Sequence, residues 1–331
     1  YFEDWNSNAN ASNSAHLEGG IGDDALFVSG KGLASLHGDG GNDYLIARYG
    51  WNVDLDGGDG NDSIKSEYSQ RSTLSGGAGN DDLRVQLYQE TSDGSKKWSA
   101  DLDGGDGDDT LTVTGSSYNQ QGRTDITAKG GSGNDTIHIS DGSAGHPTSG
   151  NSHRYGLATA SVDAGSGNDE IKLSGVLQGA ITTGDGTDTI ILTAQQYRTQ
   201  KQGDRTIGWR DWDRNYKGFE TVAAQAITIT DFTTGKDGDV LDYSDLLKNA
   251  ATNYGGENPF ATGHIKLVQS GKDTLFQFDA DGQAGSTTQL LTIAVLKNTQ
   301  KGDLITDNFN PNFPPDGSAA PGQVIVGTQS A

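Results

Sequence analysis

The sequence predicts an all-β chain, a parallel β-solenoid with one glycine-rich turn per 19-residue coil and a β-rich segment closing its C-terminal end. Three observations predict it. A glycine-rich decamer recurs eight times at a near-constant step. Apolar and polar residues alternate inside each copy, which is the period of a strand. The apolar positions then align from copy to copy into columns.

The copies are GGIGDDALFV from Gly19, GDGGNDYLIA from Gly38, GGDGNDSIKS from Gly57 and GGAGNDDLRV from Gly76, followed by GGDGDDTLTV from Gly104, GGSGNDTIHI from Gly130, AGSGNDEIKL from Ala164 and TGDGTDTIIL from Thr183. One aspartate anchors each: Asp24, Asp43, Asp62, Asp81, Asp109, Asp135, Asp169 and Asp188. The steps between anchors are 19, 19, 19, 28, 26, 34 and 19, so the unit is 19 residues and three units carry insertions of 9, 7 and 15. Two residues after the anchor stand Leu26, Leu45, Ile64, Leu83, Leu111, Ile137, Ile171 and Ile190. Seven before it stand Leu17, Leu36, Leu55, Leu74, Leu102, Ala128, Val162 and Ile181. Each unit therefore reads as strand, turn, strand, turn. Each strand pairs with its counterpart in the next coil, and the columns fill a narrow interior.

Composition bounds the function. Of the 331 residues 23 are Lys or Arg and 45 are Asp or Glu, a formal charge of −22. Such a polyanion repels nucleic acid and anionic lipid and attracts cations. With 49 glycines and 32% hydrophobic residues, composition by itself points to disorder; the regular placement of the apolar residues points the other way. The absence of Cys excludes disulfides and thiolate metal sites. The absence of Met points to a piece of a longer chain. No N-terminal signal pattern and no membrane-length apolar run is present, so export is expected by another route.

The glycine-rich turns stack on one edge, and a row of aspartates there is repulsive in water. Carboxylates plus the carbonyls exposed at glycines form an all-oxygen donor set that suits calcium, which accepts six to eight oxygens. Magnesium, octahedral and reluctant to shed water, suits it less. Transition metals prefer His or Cys, and His16, His37, His138, His146, His153 and His264 share no spacing.

These eight tandem copies, over roughly residues 17–193, resemble the repeat-in-toxin (RTX) motif, Gly-Gly-x-Gly-x-Asp-x-apolar-x, which forms a calcium-bound parallel β-roll. The resemblance implies several Ca²⁺ ions, with the eight anchoring aspartates as side-chain ligands. It implies turn carbonyls as the remaining ligands, those of Gly20, Gly22, Gly58, Gly60, Gly77, Gly79, Gly105, Gly107, Gly131, Gly133, Gly165, Gly167, Gly184 and Gly186. The usual β-roll has binding turns on both edges; here one edge alone is glycine-rich, as in the one-sided calcium solenoids of very large bacterial RTX adhesins. The second and eighth copies are irregular.

The insertions, YQETSDGSKKW, GSSYNQQGRTD and DGSAGHPTSGNSHRYG, fall away from the calcium edge, as do Tyr49, Trp51, Tyr68, Tyr88, Trp98, Tyr118 and Tyr155. Packing over the solenoid is the expected role of these aromatics, with a glycan or protein partner as the alternative. The outward turn residues are too irregular for an ice-binding array. No nucleophile–base motif is present, and the glycine turns lack the Lys and the following helix of a phosphate loop. The chain is not expected to be an enzyme.

Composition shifts near Gln195. A helix is expected over Asp245–Ala251 with Ser244 as its N-cap. HIKLVQSGKDTLFQFDADG reads as a hairpin, and QLLTIAVLKN as another strand. The stretches GFETV, ITDFTTGKDGDVLDYSDLL and FDADG resemble the C-terminal target region of RTX proteins exported by type I secretion. That resemblance implies an uncleaved C-terminal export signal, the type I secretion machinery as a partner, and Asp231, Asp237, Asp239 and Asp242 as further calcium ligands, with Asp279 and Asp281 weaker candidates. The expected divisions are a solenoid over 1–194, a capping and secretion domain over 195–310 and a flexible tail over 311–331. The expected function is a calcium-dependent folding and export module at the end of a large extracellular or surface adhesin, monomeric, unfolded in low-calcium cytosol and folded outside. The alternatives are a glycan- or surface-binding module using the aromatic loops, or the tail of a secreted enzyme or pore-former whose active part lies upstream.

Overall fold

The computed structural model describes residues 2–5, 14–89, 98–117, 123–140, 157–176, 178–201, 205–210, 216–222, 225–283 and 290–319. Two long sheets of parallel coils run through it, one of 11 strands and one of 12. Each coil contributes one strand to each sheet. In the second coil these are Leu33–Gly40 and Tyr44–Arg48; in the third they are Asn52–Asp59 and Ser63–Glu67.

The register follows the 19-residue step. Leu36 pairs with Leu55, Leu55 with Leu74 and Leu74 with Leu102 in one sheet. Leu45, Ile64, Leu83, Leu111, Ile137, Ile171, Ile190 and Leu241 are successive partners in the other. All of these residues are buried. Each removes roughly 1.5–3 kcal/mol worth of apolar surface from water, and a one-residue slip would turn a whole column outward. The long steps leave the register intact, since Ser99 pairs with Arg71 across the first insertion and Arg123 with Leu157 across the third. The bodies of the three insertions lie outside the described residues. One strand, Phe2–Trp5, pairs with Ala25–Ser29 ahead of the first recognisable copy; it carries no glycine motif, so the repeat did not reveal it.

Both sheets continue into the C-terminal third. Ile227–Ile229 pairs in parallel with Gln178–Thr182, and Val240–Asp242 with Thr189–Leu192. The direction then reverses. Ile265–Ser270 and Asp273–Phe278 form the expected antiparallel hairpin around Gly271, with Leu291–Leu296 beside it. A core of Tyr243, Phe260, Phe276 and Phe309 seals this end. The helix Ala194–Lys201 was not expected; it lays Tyr197 edge-on to Phe278 at 5.1 Å.

The expected helix at 245 spans Ser244–Asn249. Ser244 is its first residue, not its cap: the cap position is Tyr243, and the Ser244 N–H donates to Asp242 Oδ1 at 2.8 Å. The acceptor two residues upstream replaces the Ser hydroxyl. Residues 311–318, expected to be part of a loose tail, are tied to the body. Tyr243 Oη donates to the Pro311 carbonyl at 2.6 Å, and Asn258 Nδ2 donates to the carbonyls of Pro314 and Ser318. Among the described residues no helix is long and apolar enough to cross a membrane.

Candidate functional site

The glycine-rich turns form one continuous column, and two opposed side-chain ladders build it. In the first, each anchoring aspartate accepts the main-chain N–H of the anchor one coil earlier. Asp43 Oδ1 takes Asp24 N at 2.7 Å, Asp62 takes Asp43, Asp81 takes Asp62, and Asp109 takes Asp81. The series continues through Asp135, Asp169 and Asp188. In the second ladder, the residue before each anchor works in the opposite direction. Asn42 Oδ1 accepts from Asn61 N at 2.8 Å, Asn61 from Asn80, Asn80 from Asp108, and Asn134 from Asn168. The sequence reading passed over this second ladder. Its signal was present: Asn or Asp precedes the anchor in every copy except the eighth, which has Thr187.

The anchors point inward, not into solvent. Asp43, Asp62, Asp81, Asp109, Asp135, Asp169 and Asp188 are all buried. Each uses Oδ1 in the ladder and leaves Oδ2 buried with no hydrogen-bond partner. Such a bare oxygen costs free energy when charged. Burial accordingly raises these carboxyls above the ordinary value of 3.8, with neighbouring aspartates adding to it at every one but Asp169. Asp81 and Asp135 reach about 6, and Asp109 and Asp188 about 7. Asp43, Asp62 and Asp169 move in the same direction for the same reason.

The first glycine of each motif shows what surrounds the bare oxygen. A Cβ placed on Gly76 would lie 2.3 Å from Asp81 Oδ2 and 2.4 Å from the carbonyl oxygen of Gly104 in the next coil. The same cradle recurs at Gly38, Gly57, Gly104 and Gly130. A carboxylate oxygen and a carbonyl oxygen thus converge beside the glycine Cα, where a side chain would collide with both. In the seventh and eighth copies Ala164 and Thr183 stand at this position.

The structure separates the glycines by role. The second and fourth positions, such as Gly77 at φ 109° and Gly79 at φ 127°, adopt the left-handed region that bends the turn. The carbonyls of Gly58 and Gly60 lie against those two residues, 2.1 Å from where a Cβ would stand. The carbonyls beside the bare carboxylate oxygens belong instead to first-position residues: Gly57, Gly76, Gly104, Gly130 and Ala164. Gly20, Gly22, Gly105, Gly107, Gly131, Gly133, Gly165, Gly167, Gly184 and Gly186 also have positive φ. Asp24, at the open end, is only partly buried.

Asp239 extends the anchor ladder by a further rung. Fully buried, it accepts Asp188 N on Oδ1 at 3.1 Å, and Thr183 Oγ1 and Thr233 N on Oδ2. Asp231 joins it, accepting from Thr183 N, Thr183 Oγ1 and Gly184 N. The Asp237 carbonyl accepts from Thr187 Oγ1 at 2.7 Å. Asp242 lies apart, bonded to Ser244 N and Asn310 Nδ2.

The donor set fits a hard cation. It offers one carboxylate oxygen and one first-position carbonyl at each of five turns, all oxygen. Among the described residues no three Asp, Glu, His or Cys side chains gather at one point, so any ion here would depend on main-chain oxygens. Of the aromatics on the opposite edge, Tyr49 and Trp51 are exposed, Tyr49 stacks on Tyr68 at 5.4 Å, and Trp98 is buried. The side chains of Tyr88, Tyr118 and Tyr155, and His146 and His153, lie outside the described residues. No family model, curated protein or solved structure matches the chain.

Proposed function

We propose that this chain is a calcium-dependent folding module of an extracellular or cell-surface protein. The observation that supports it is the column of buried aspartate oxygens without partners, those of Asp43, Asp62, Asp81, Asp109 and Asp135 each close to a main-chain carbonyl of the next coil. A chain of charge −22 cannot bury ionised carboxylates for nothing. A divalent cation between turns converts the repulsion to attraction. Asp43, Asp62, Asp81, Asp109 and Asp135, with the first-position carbonyls, would hold it. Asp24 shares their motif at the open end. Asp188, Asp231 and Asp239 supply the same donor chemistry where the solenoid meets its cap.

The residues of this chain then divide the work. The second- and fourth-position glycines bend the turn, the Oδ1 ladder fixes each carboxylate, and the Leu and Ile columns supply the apolar interior. The bound ion supplies charge neutralisation. Extracellular modules hold calcium with Kd values of about 10⁻⁴–10⁻³ M, and binding free energy becomes folding free energy. The chain stays unfolded where free calcium is scarce and folds where it is abundant. That property suits export through a secretion channel, and the RTX-like C-terminal stretches favour the type I route into a large adhesin.

The test is a calcium titration of the full chain, followed by circular dichroism and by a count of bound metal. A disordered spectrum in chelator, a β spectrum in millimolar calcium and several ions per chain are expected. An unchanged β spectrum in chelator at neutral pH sinks the proposal.

A further inference from the structure

The outer face of the long-strand sheet carries a second cluster of different chemistry. His16 and His37, 21 residues apart in sequence, stand on neighbouring strands, because Leu17 pairs with Leu36 and each histidine flanks one of them on the solvent side. Their rings are 5.4 Å apart, edge to face. His16 Nδ1 lies 3.2 Å from Ser35 Oγ, and His37 Nε2 lies 2.9 Å from the same oxygen. Two imidazole nitrogens on separate coils thus converge on one point.

The other nitrogen of each ring faces a carboxylate. His16 Nε2 is 3.1 Å from Glu18 Oε1, and His37 Nδ1 is 3.7 Å from Asp56 Oδ2. A carboxylate on the outer nitrogen, with the inner nitrogen aimed at a shared point, is how metal-ligating histidines are oriented. The hydroxyl at the shared point is an imperfect occupant. Its hydrogen goes to one ring nitrogen and its lone pair takes an N–H from the other, which uses two different tautomers; a cation in its place takes a lone pair from each inner nitrogen and leaves both outer N–H groups to the carboxylates. Imidazole donors select zinc, copper and nickel over calcium.

We propose that His16 Nδ1 and His37 Nε2 form a two-imidazole site for a divalent transition-metal ion, zinc in the first instance. Glu18 and Asp56 position the rings, Ser35 swings aside, and water completes the coordination. The site is independent of the turn column: it lies on the sheet face, uses nitrogen donors, and does not require the calcium reading to hold. Sequence spacing hid it, because the two histidines occupy different positions in their coils and meet diagonally across the sheet.

The test is isothermal titration of the tag-free full chain with Zn²⁺ in excess Ca²⁺, which fills oxygen sites. One zinc equivalent is expected, with shifts of the His16 and His37 ring-proton NMR signals. His16→Gln and His37→Gln should each abolish that equivalent, and Glu18→Gln should weaken it by roughly 10-fold or more. Ser35→Ala should keep it. Circular dichroism in calcium should be unchanged in all four, since these side chains are outside the core. Absence of zinc binding by the parent chain, or an undiminished equivalent in either histidine variant, overturns the proposal.

Discussion

Asp81 holds the Asp62 main-chain N–H on Oδ1 at 2.7 Å while its Oδ2, buried and without a partner, faces the same cradle as the Gly104 carbonyl. One half of the carboxylate is structural, and the other half is left for a proton or a cation. Asp81→Asn separates the two. The amide keeps the Oδ1 acceptor, removes the buried charge and can direct Nδ2–H at the Gly104 carbonyl. In chelator at neutral pH the variant should be more stable than the parent. In saturating calcium it should be less stable and bind at least one ion fewer. Thermal melts in calcium, and the β signal that remains in chelator, check this, and a change of the same sign in both contradicts the dual role.

The raised carboxyls set a pH dependence for the cation-free chain. A carboxyl that holds its proton more tightly folded than unfolded contributes stability below its unfolded pKa, and loses it as pH rises through the folded value. Here the window runs from the ordinary 3.8 to about 6 for Asp81 and about 7 for Asp109. In chelator the β signal should therefore be stronger at about pH 5 than at about pH 8. Calcium should erase the difference. Circular dichroism across that range measures it, and a chelated chain that gains β structure on going alkaline refutes it.

Gly76→Ala and Gly40→Ala make a matched pair. A methyl on Gly76 meets Asp81 Oδ2 and the Gly104 carbonyl, whereas one on Gly40 meets nothing within 4 Å. The first should cost about 1–3 kcal/mol by overpacking and lose an ion as well. The second should be nearly neutral. Denaturant melts in calcium with metal counting check both, and equal effects would remove the cradle from the argument.

Asp239→Ala tests the join between solenoid and cap. It strips the acceptor from Asp188 N and Thr233 N, while Thr183 Oγ1 keeps Asp231 Oδ1 at 3.0 Å, and buried donors left unpaired cost roughly 1–3 kcal/mol each. The loss should appear as a large fall in melting temperature, and hydrogen exchange should speed first at residues 183–192. Exchange confined to residues 225–310 would show that the two segments are energetically separate.

The repeat unit, the inward columns and the position of the glycine turn were all legible in the sequence. Each coil repeats the same local physics, so a 19-residue step in Leu36, Leu55 and Leu74 is already a statement of register. The C-terminal hairpin was legible for the same local reason, as alternation broken by Ser270-Gly271. The helix Ala194–Lys201 was passed over although Thr193, three residues before Gln196, marks its start and accepts the Gln196 N–H on Oγ1 at 3.0 Å; its eight residues are mostly polar, and Tyr197 is held by packing on Phe278.

By itself, then, the sequence determined that the chain would coil, at what period, and which aspartates would line the turn. Only the tertiary structure decided where each aspartate oxygen points. Asp81 reaches Asp62 in the coil before it and meets the Gly104 carbonyl of the coil after it. It decided likewise that Asp239 serves as a further rung and that His16 meets His37. The physical reason is the same in each case: these contacts join residues on different coils, and the repeat period tells which coils are neighbours but not the direction in which a side chain reaches between them.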